Sequence, residues 1–450
     1  VLDFKKIKKA YFIGIGGIGM SALARHFNSE GVQVFGYDKV KTGLTKQLEK
    51  EGMELNYEDA VKNIPDGVDL VVYTPAIPKE HRQLNYFLQK KFTVIKRSEV
   101  LQDITDDKFT IAVGGSHGKT SVTTMIAHVL KDTGYDCTAF LGGISLNYNS
   151  NYLRGKNDIV VVEADEFDRS FLRLNPNIAV ITAVDTDHLD IYGSLKNIED
   201  AFVEFTQKVK PSGWVVAQNK VSIIPKIKNR KLITYSFSDS SATYFARNAA
   251  LQRGICTFDI AGFDGVTGMT LQTGGKHNVE NALAAYTVAR QLGIDKGKIR
   301  KALAAFRGVR RRFEYVIKRD DFVFIDDYAH HPEEIKALLD AVRMMYPGKK
   351  ITAVFQPHLY SRTKDLHREF AASLDKADEV ILLGIYPARE KSMPGVSSEM
   401  IAREMKNKNR RVIAKEELIS FLKGKKLEVL LTIGAGDIDT MVEPIKKLFS

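Results

Sequence analysis

Cysteine is nearly missing: Cys137 and Cys256 are the only two in 450 residues. Two thiols cannot build the framework of a disulfide-stapled secreted protein, and the scarcity fits a reducing, cytoplasmic compartment. Also missing is any apolar run approaching the roughly 18 residues of a membrane span. The opening residues Val1–Lys5 do not read as a secretory signal. No fixed-period repeat and no low-complexity stretch occurs, which argues against solenoids and disordered tails. Hydrophobic residues make up 44% and charged residues 27%, an ordinary globular balance that excludes disordered, collagen-like and coiled-coil chains. The charge leans positive, at +11, but the basic residues are scattered. The densest cluster, Arg310-Arg311-Arg312, is too short for a nucleic-acid arm, so the excess suits small polyphosphate ligands and no nucleic acid.

What is present is alternation. At roughly 150 residues per domain the length suggests about three domains, and short apolar runs alternate with helical patterns throughout, as parallel sheets covered by helices require. The first region has strands at Ala10–Ile13, Val32–Tyr37 and Leu70–Tyr73, with Asp103–Lys108 as the expected linker. The second opens with Phe109–Val113 and carries the buried-type strands Ile159–Val162 and Ile178–Ile181. Residues from about 215 to 275 are harder to read and are left open to additional strands; helices follow near 278–292 and 296–306. The third takes Phe322–Ile325 as its first strand, a helix from Pro332, then strands at Thr352–Phe355, Val380–Leu383 and Val429–Ile433.

Two glycine-rich turns follow strands. Gly14-Ile15-Gly16-Gly17-Ile18-Gly19 has the dinucleotide spacing, with Asp38 at the end of the next strand. It fits NAD, FAD or any ligand with a pyrophosphate and a ribose. Gly114-Gly115-Ser116-His117-Gly118-Lys119-Thr120-Ser121 is a phosphate loop, shortened because Val113 stands where the usual first glycine falls. Its backbone N–H groups suit phosphates, Lys119 the β/γ oxygens and Thr120 a Mg²⁺ ion. Glu163 and His188 follow neighbouring strands and are candidate metal ligands. His277, Asn278 and Asn281 open an alanine-rich helix, where the choice is between helix capping and an adenine edge. Arg312 stands at a boundary where a hinge arginine could act on a γ-phosphate. Asp327 with His330, and His358 with Tyr360 and Arg362, end two later strands.

Together, in this order and over the whole chain, these motifs resemble the Mur ligase family. Met20-Ser21 after the first motif and Phe355-Gln356-Pro357-His358 point to its alanine-adding branch; a murein tripeptide-adding branch is the nearest alternative. The resemblance implies an α/β fold of three domains. These are a Rossmann-like UDP-sugar domain at 1–106, a central phosphate-loop ATP and Mg²⁺ domain at 107–309, and a Rossmann-like closing domain at 310–450. It implies UDP-N-acetylmuramate and L-alanine as substrates, joined through an acyl phosphate in peptidoglycan synthesis, by a cytoplasmic monomer or homodimer. The UDP sugar is expected on Gly16, Gly17, Ile18, Gly19, Asp38, Thr74 and Ala76. ATP is expected on Gly115, Ser116, His117, Gly118, Lys119, Thr120, Ser121, His277, Asn278, Asn281, Arg312 and Asp327. Thr120, Glu163 and His188 are expected on the metal, Lys119, His188 and Arg312 in catalysis, and His330, His358, Tyr360 and Arg362 on the amino-acid side. Where several members carry a carbamylated lysine, this chain has Phe202, so no such group is expected.

Two other classes compete. An NAD-dependent oxidoreductase explains Gly14–Gly19 and Asp38 but leaves Lys119, Glu163 and His188 unused. A nucleotide-sensing module explains both loops but has no need of Glu163 and His188.

Overall fold

The structure is a computed structural model that describes residues 3–450 except 186–188, 229, 253 and 389. It has two compact units: residues 1–247, 259–269 and 279–306 form the first, and 248–258, 270–278 and 307–450 the second.

The first unit begins with a fully parallel sheet ordered Glu54–Asn56, Gln33–Tyr37, Lys9–Ile13, Leu70–Tyr73, Val94–Lys96. Ala10–Ile13 and Leu70–Val72 are buried, as continuous apolar runs in a two-sided sheet must be. The helix Ile18–Ser29 buries Met20, Leu23, Ala24 and Phe27, an apolar stripe at helical spacing. Asp103–Lys108 is not all linker: the helix Arg97–Thr105 runs through its start. Glu99 accepts from the Lys96 N–H, Thr105 donates back to Leu101 O, and Val100 and Ile104 are buried on one face.

The larger sheet of this unit places Phe109–Gly114 between Ile159–Glu163 and Ile178–Ile181, all parallel. Trp214–Gln218 and Lys231–Ser236 extend it on one side, and the 215–275 stretch left open by the sequence supplies these strands and three more. On the other side Thr138–Ser145 pairs parallel with Ile159–Glu163 and then turns into an antiparallel hairpin with Ser150–Leu153, which the sequence reading missed.

That hairpin docks on the helix Ile18–Ser29. Asn151, fully buried, donates to Ile18 O at 2.6 Å and to Ser21 Oγ at 2.9 Å, and accepts from the Arg25 guanidinium. Arg25 in turn forks onto both carboxylate oxygens of Glu51 at 2.8 Å. His26 and Ser29 meet the Tyr152 hydroxyl at 3.0 and 3.1 Å.

In the second unit a six-stranded sheet runs Glu314–Lys318, Val323–Asp327, Val429–Ile433, Ile351–Phe355, Glu379–Leu382, Arg410–Val412. Phe322–Ile325 is therefore not its first strand. Glu314–Lys318 precedes it as an antiparallel edge, half-buried and charged at both ends, which hides it from an apolar-run reading. The rest of the sheet is parallel.

Asn151→Ala leaves the buried Arg25 short of an acceptor and should lower unfolding free energy by about 2–3 kcal/mol. Urea unfolding of the full chain reads this; an unmoved midpoint contradicts the docking role.

Candidate functional site

The Gly14–Gly19 turn is held by its neighbours. Gly14, at φ +84°, leaves only 3.2 Å between a would-be side chain and Thr74, so the turn after Leu70–Tyr73 packs against it. In that turn Thr74 O accepts from the Ile77 N–H at 3.1 Å and Ala76 N–H faces Thr74 Oγ1 at 3.5 Å. Asp38 accepts from the Gly16 N–H at 2.8 Å. It therefore shapes the loop, whatever else it contacts. Gly17 caps the helix that begins at Ile18, and the Gly19 backbone lies against the Arg97 guanidinium.

The phosphate loop joins Phe109–Gly114 to the helix Lys119–Asp132. Gly115 and Gly118 have φ of +141° and +83°, and a side chain at Gly115 would strike Thr182 Oγ1. Thr182 donates to Gly114 O at 3.2 Å and to His117 O at 2.5 Å. Ser116 clips the loop to the following strand end: its N–H donates to Ala183 O and its Oγ accepts from the Asp185 N–H. The His117 side chain is exposed, 3.8 Å from Asp185, and Ser121 lies in the first helical turn. The Asn281 amide faces Gly118, with 3.1 Å from its Oδ1 to where a Cβ would be.

Lys119 turns its ammonium inward. It donates to Gly115 O at 2.6 Å and to Glu166 Oε1 at 2.7 Å. Burial opposes its charge, yet Glu166 and Glu163 hold its pKa above the ordinary lysine value. Burial pushes the Glu166 carboxyl up, against the pull of Lys119. Thr120 donates to both oxygens of Glu163, at 3.0 and 3.3 Å. Glu163 fits there because residue 142 is glycine: a Cβ at Gly142 would fall 1.9 Å from Oε2. His188 lies outside the described residues. Phe202 is fully buried beneath the loop, its ring 5.2 Å from Phe171 and close to Gly114.

A cleft of about 100 Å³ runs from the first glycine-rich turn to Glu163, the carboxylate that Thr120 contacts. Ile18 and Gly19 form one end, Gly142, Glu163 and Asp165 the other, with Phe140 and Leu141 on the wall.

In the second unit Asp327 accepts from the Phe313 and Ala329 N–H groups at 2.7 and 2.8 Å, and burial pushes its carboxyl up while Arg312 pulls it down. The Arg312 guanidinium sits 5.2 Å from the Tyr328 ring. The neighbouring Arg311, at φ +61°, is structural: it reaches Gly434 O, Gly436 O and the buried Asp326. The His277 side chain is exposed in the first turn of its helix, and the buried Asn278 donates to Gly274 O in the chain leading into that helix. His330 and His358 come together, ring centroids 6.1 Å apart. Burial, His330 and Arg362 push His358 down to about 4, so it is neutral at pH 7. Tyr360 starts the helix that carries Arg362.

The structure thus joins Gly115–Thr120, Glu163 and Asn281 in one place and His330, His358 and Arg362 in another. Residues the motif reading passed over are Gly142, Thr182 and Arg97, none of which belongs to a motif. Glu166 lies three residues after Glu163, but its pairing with Lys119 depends on how the two strands come together.

Gly142→Ala should push Glu163 off Thr120 and weaken Mg²⁺-dependent ATP binding by about 10–100-fold. Calorimetric titration of ATP at several Mg²⁺ concentrations measures it; an unchanged titration contradicts the role given to Gly142.

The chain matches the Mur ligase family catalytic domain at residues 9–109, the Mur ligase middle domain at 113–289 and the Mur ligase glutamate ligase domain at 311–436. It is 46% identical over 452 residues to the UDP-N-acetylmuramate–L-alanine ligase of Christiangramia forsetii, covering 99% of this chain and 98% of that one. It is 47% identical to the enzyme of the same name from Flavobacterium psychrophilum, covering 99% of each. Among solved structures, the UDP-N-acetylmuramate–alanine ligase of Thermotoga maritima superposes with a TM-score of 0.87 at 31% identity, covering 98% of this chain and 99% of that one. A murein peptide ligase from Psychrobacter arcticus shares the fold, with a TM-score of 0.73 at 22% identity. With all three matches in order along the chain, the protein belongs to the Mur ligase family.

Proposed function

We propose that this chain is an ATP-dependent ligase that forms an amide between L-alanine and the lactyl carboxylate of UDP-N-acetylmuramate, a step of peptidoglycan precursor synthesis. The observation that carries this reading is the cleft running from Gly19 to Glu163. It lets one ligand reach from the sugar-nucleotide turn to Glu163, the carboxylate held by Thr120 of the phosphate-loop helix, an arrangement a dehydrogenase or a nucleotide sensor does not need. The names of the 46–47% identical relatives support the choice of alanine. Residues 1–106 take the UDP sugar in this reading, 107–309 the ATP, and 310–450 the amino acid.

A carboxylate does not lose oxide to an amine, so one of its oxygens must first become a leaving group. That oxygen attacks the γ-phosphorus of ATP, the bond to ADP breaks, and an acyl phosphate forms; the alanine nitrogen then attacks the acyl carbon and phosphate departs. Lys119 exchanges Glu166 for phosphoryl oxygens and stabilises their charge. Gly115 and Gly118 present backbone N–H groups without side chains in the way. Thr120 and Glu163, already in contact, and His188 suit a divalent cation, whose chemistry is to neutralise charge on the phosphoryl oxygens. Asn281 faces Gly118 and suits the nucleotide side of the loop. Arg312 adds positive charge in the closing domain, Asp327 suits the ribose, and neutral His358 beside His330 suits the amino-acid end. Phe202 keeps a lysine carbamate out of the metal set.

Phosphate release by the full chain with ATP, Mg²⁺ and UDP-N-acetylmuramate should depend on L-alanine. Release driven by a murein tripeptide in its place would assign the chain to the tripeptide-adding branch. Lys119→Ala should cut turnover at least about 100-fold and also lower the melting temperature, because Glu166 is left buried without its partner; near-normal turnover in the folded protein contradicts its role.

A further inference from the structure

The cleft contains a cation that neither glycine-rich motif accounts for. Arg97 opens the helix Arg97–Thr105, and its guanidinium lies along the Gly19 backbone: a Cβ there would sit 2.6 Å from Nη1. Glycine at residue 19 lets the guanidinium lie directly against the main chain. On the other side Nη2 faces Asp165 Oδ2 at 3.4 Å, a single long contact between side chains 25% and 40% exposed. An exposed pair of that geometry holds weakly and exchanges easily. Among the described lining residues Arg97 is the only cation; the other two charges are Glu163 and Asp165, and the rest are apolar or glycine. An anionic substrate group that must come up to Glu163 therefore meets two carboxylates, and Arg97 is the side chain placed to offset them.

Resting on the ligase reading above, we propose that Arg97 binds the lactyl carboxylate of the sugar nucleotide, giving up Asp165 to do so, and thereby selects the muramate nucleotide over its glucosamine counterpart. The guanidinium fork matches a planar carboxylate in a way an ammonium does not. A diphosphate has a different partner, the N-terminus of the helix that starts at Ile18. Arg97 faces the acid end of the cleft, where its partner Asp165 lies two residues beyond Glu163. Once the carboxylate takes Asp165's place, the fork fixes the plane and direction of the group, which orients it as well as binding it.

Calorimetric binding of UDP-N-acetylmuramate and of UDP-N-acetylglucosamine to the full chain tests this, because the second ligand keeps the diphosphate and lacks the carboxylate. Arg97→Gln should weaken the muramate nucleotide by about tenfold or more while leaving the glucosamine nucleotide within about twofold. Arg97→Lys should fall between, and serves the same comparison if the glutamine variant fails to fold. Asp165→Asn, which removes the competing carboxylate, should tighten the muramate nucleotide. Equal weakening of both ligands would place the guanidinium on the diphosphate, and no change in either would leave Arg97 without a binding role; each overturns the proposal. Wild-type phosphate release with L-alanine is run alongside. Its absence would strike the ligase reading, whereas its presence with undiminished discrimination in the variants would strike Arg97 alone.

Discussion

The ion pair between Lys119 and Glu166 organises the phosphate loop. Both side chains are out of water, Glu166 almost completely, so each charge is tolerable only because the other is there. Removing one partner of such a pair costs about 3–5 kcal/mol. The pair joins the phosphate-loop helix to the end of Ile159–Glu163, and the same strand end holds Glu163 against Thr120. The loop is thus held in shape by a protein carboxylate bound to Lys119, which in the proposed reaction gives way to phosphoryl oxygens. On that proposal nucleotide binding is an exchange of one anion for another at Lys119, and the ammonium is never buried alone.

Around this pair, close backbone approach does what side chains cannot. Gly115 lies against Thr182, Gly142 admits Glu163, and Gly19 admits Arg97. Each glycine lets a functional group from a neighbouring element come within contact distance of the main chain. The Asn151 anchor plays a complementary part at longer range. It fixes the helix that begins at Ile18 to the hairpin leaving Thr138–Ser145, the strand that also carries Gly142. The two ends of the cleft are therefore set by one connected set of contacts.

Much of this was legible in the sequence. Continuous runs such as Ile159–Val162 and Ile178–Ile181 read as parallel strands because burial on both faces demands uninterrupted apolar residues. Both glycine-rich turns read correctly because their spacing is local. The edge strand Glu314–Lys318 and the hairpin Ser150–Leu153 did not, since half-buried strands mix polar and apolar residues. The end of the Arg97–Thr105 helix was mistaken for linker because its polar surface residues outnumber its buried ones. Long-range pairings escaped altogether. Nothing near Lys119 announces Glu166, 47 positions away, and Arg97 meets Gly19 and Asp165 only after two sheets have formed. Asn278 and Asn281 show the remaining ambiguity: three residues apart on one helix, one donates to Gly274 O and the other faces the phosphate loop.

The central claim is that Lys119, Thr120 and Glu163 direct attack of the substrate carboxylate at the γ-phosphate. It is tested most directly by placing ¹⁸O in the lactyl carboxylate of UDP-N-acetylmuramate and following the label through turnover with ATP and L-alanine. The account predicts one labelled oxygen in inorganic phosphate, with ADP as the nucleotide product. Label in AMP, with pyrophosphate released, would contradict it.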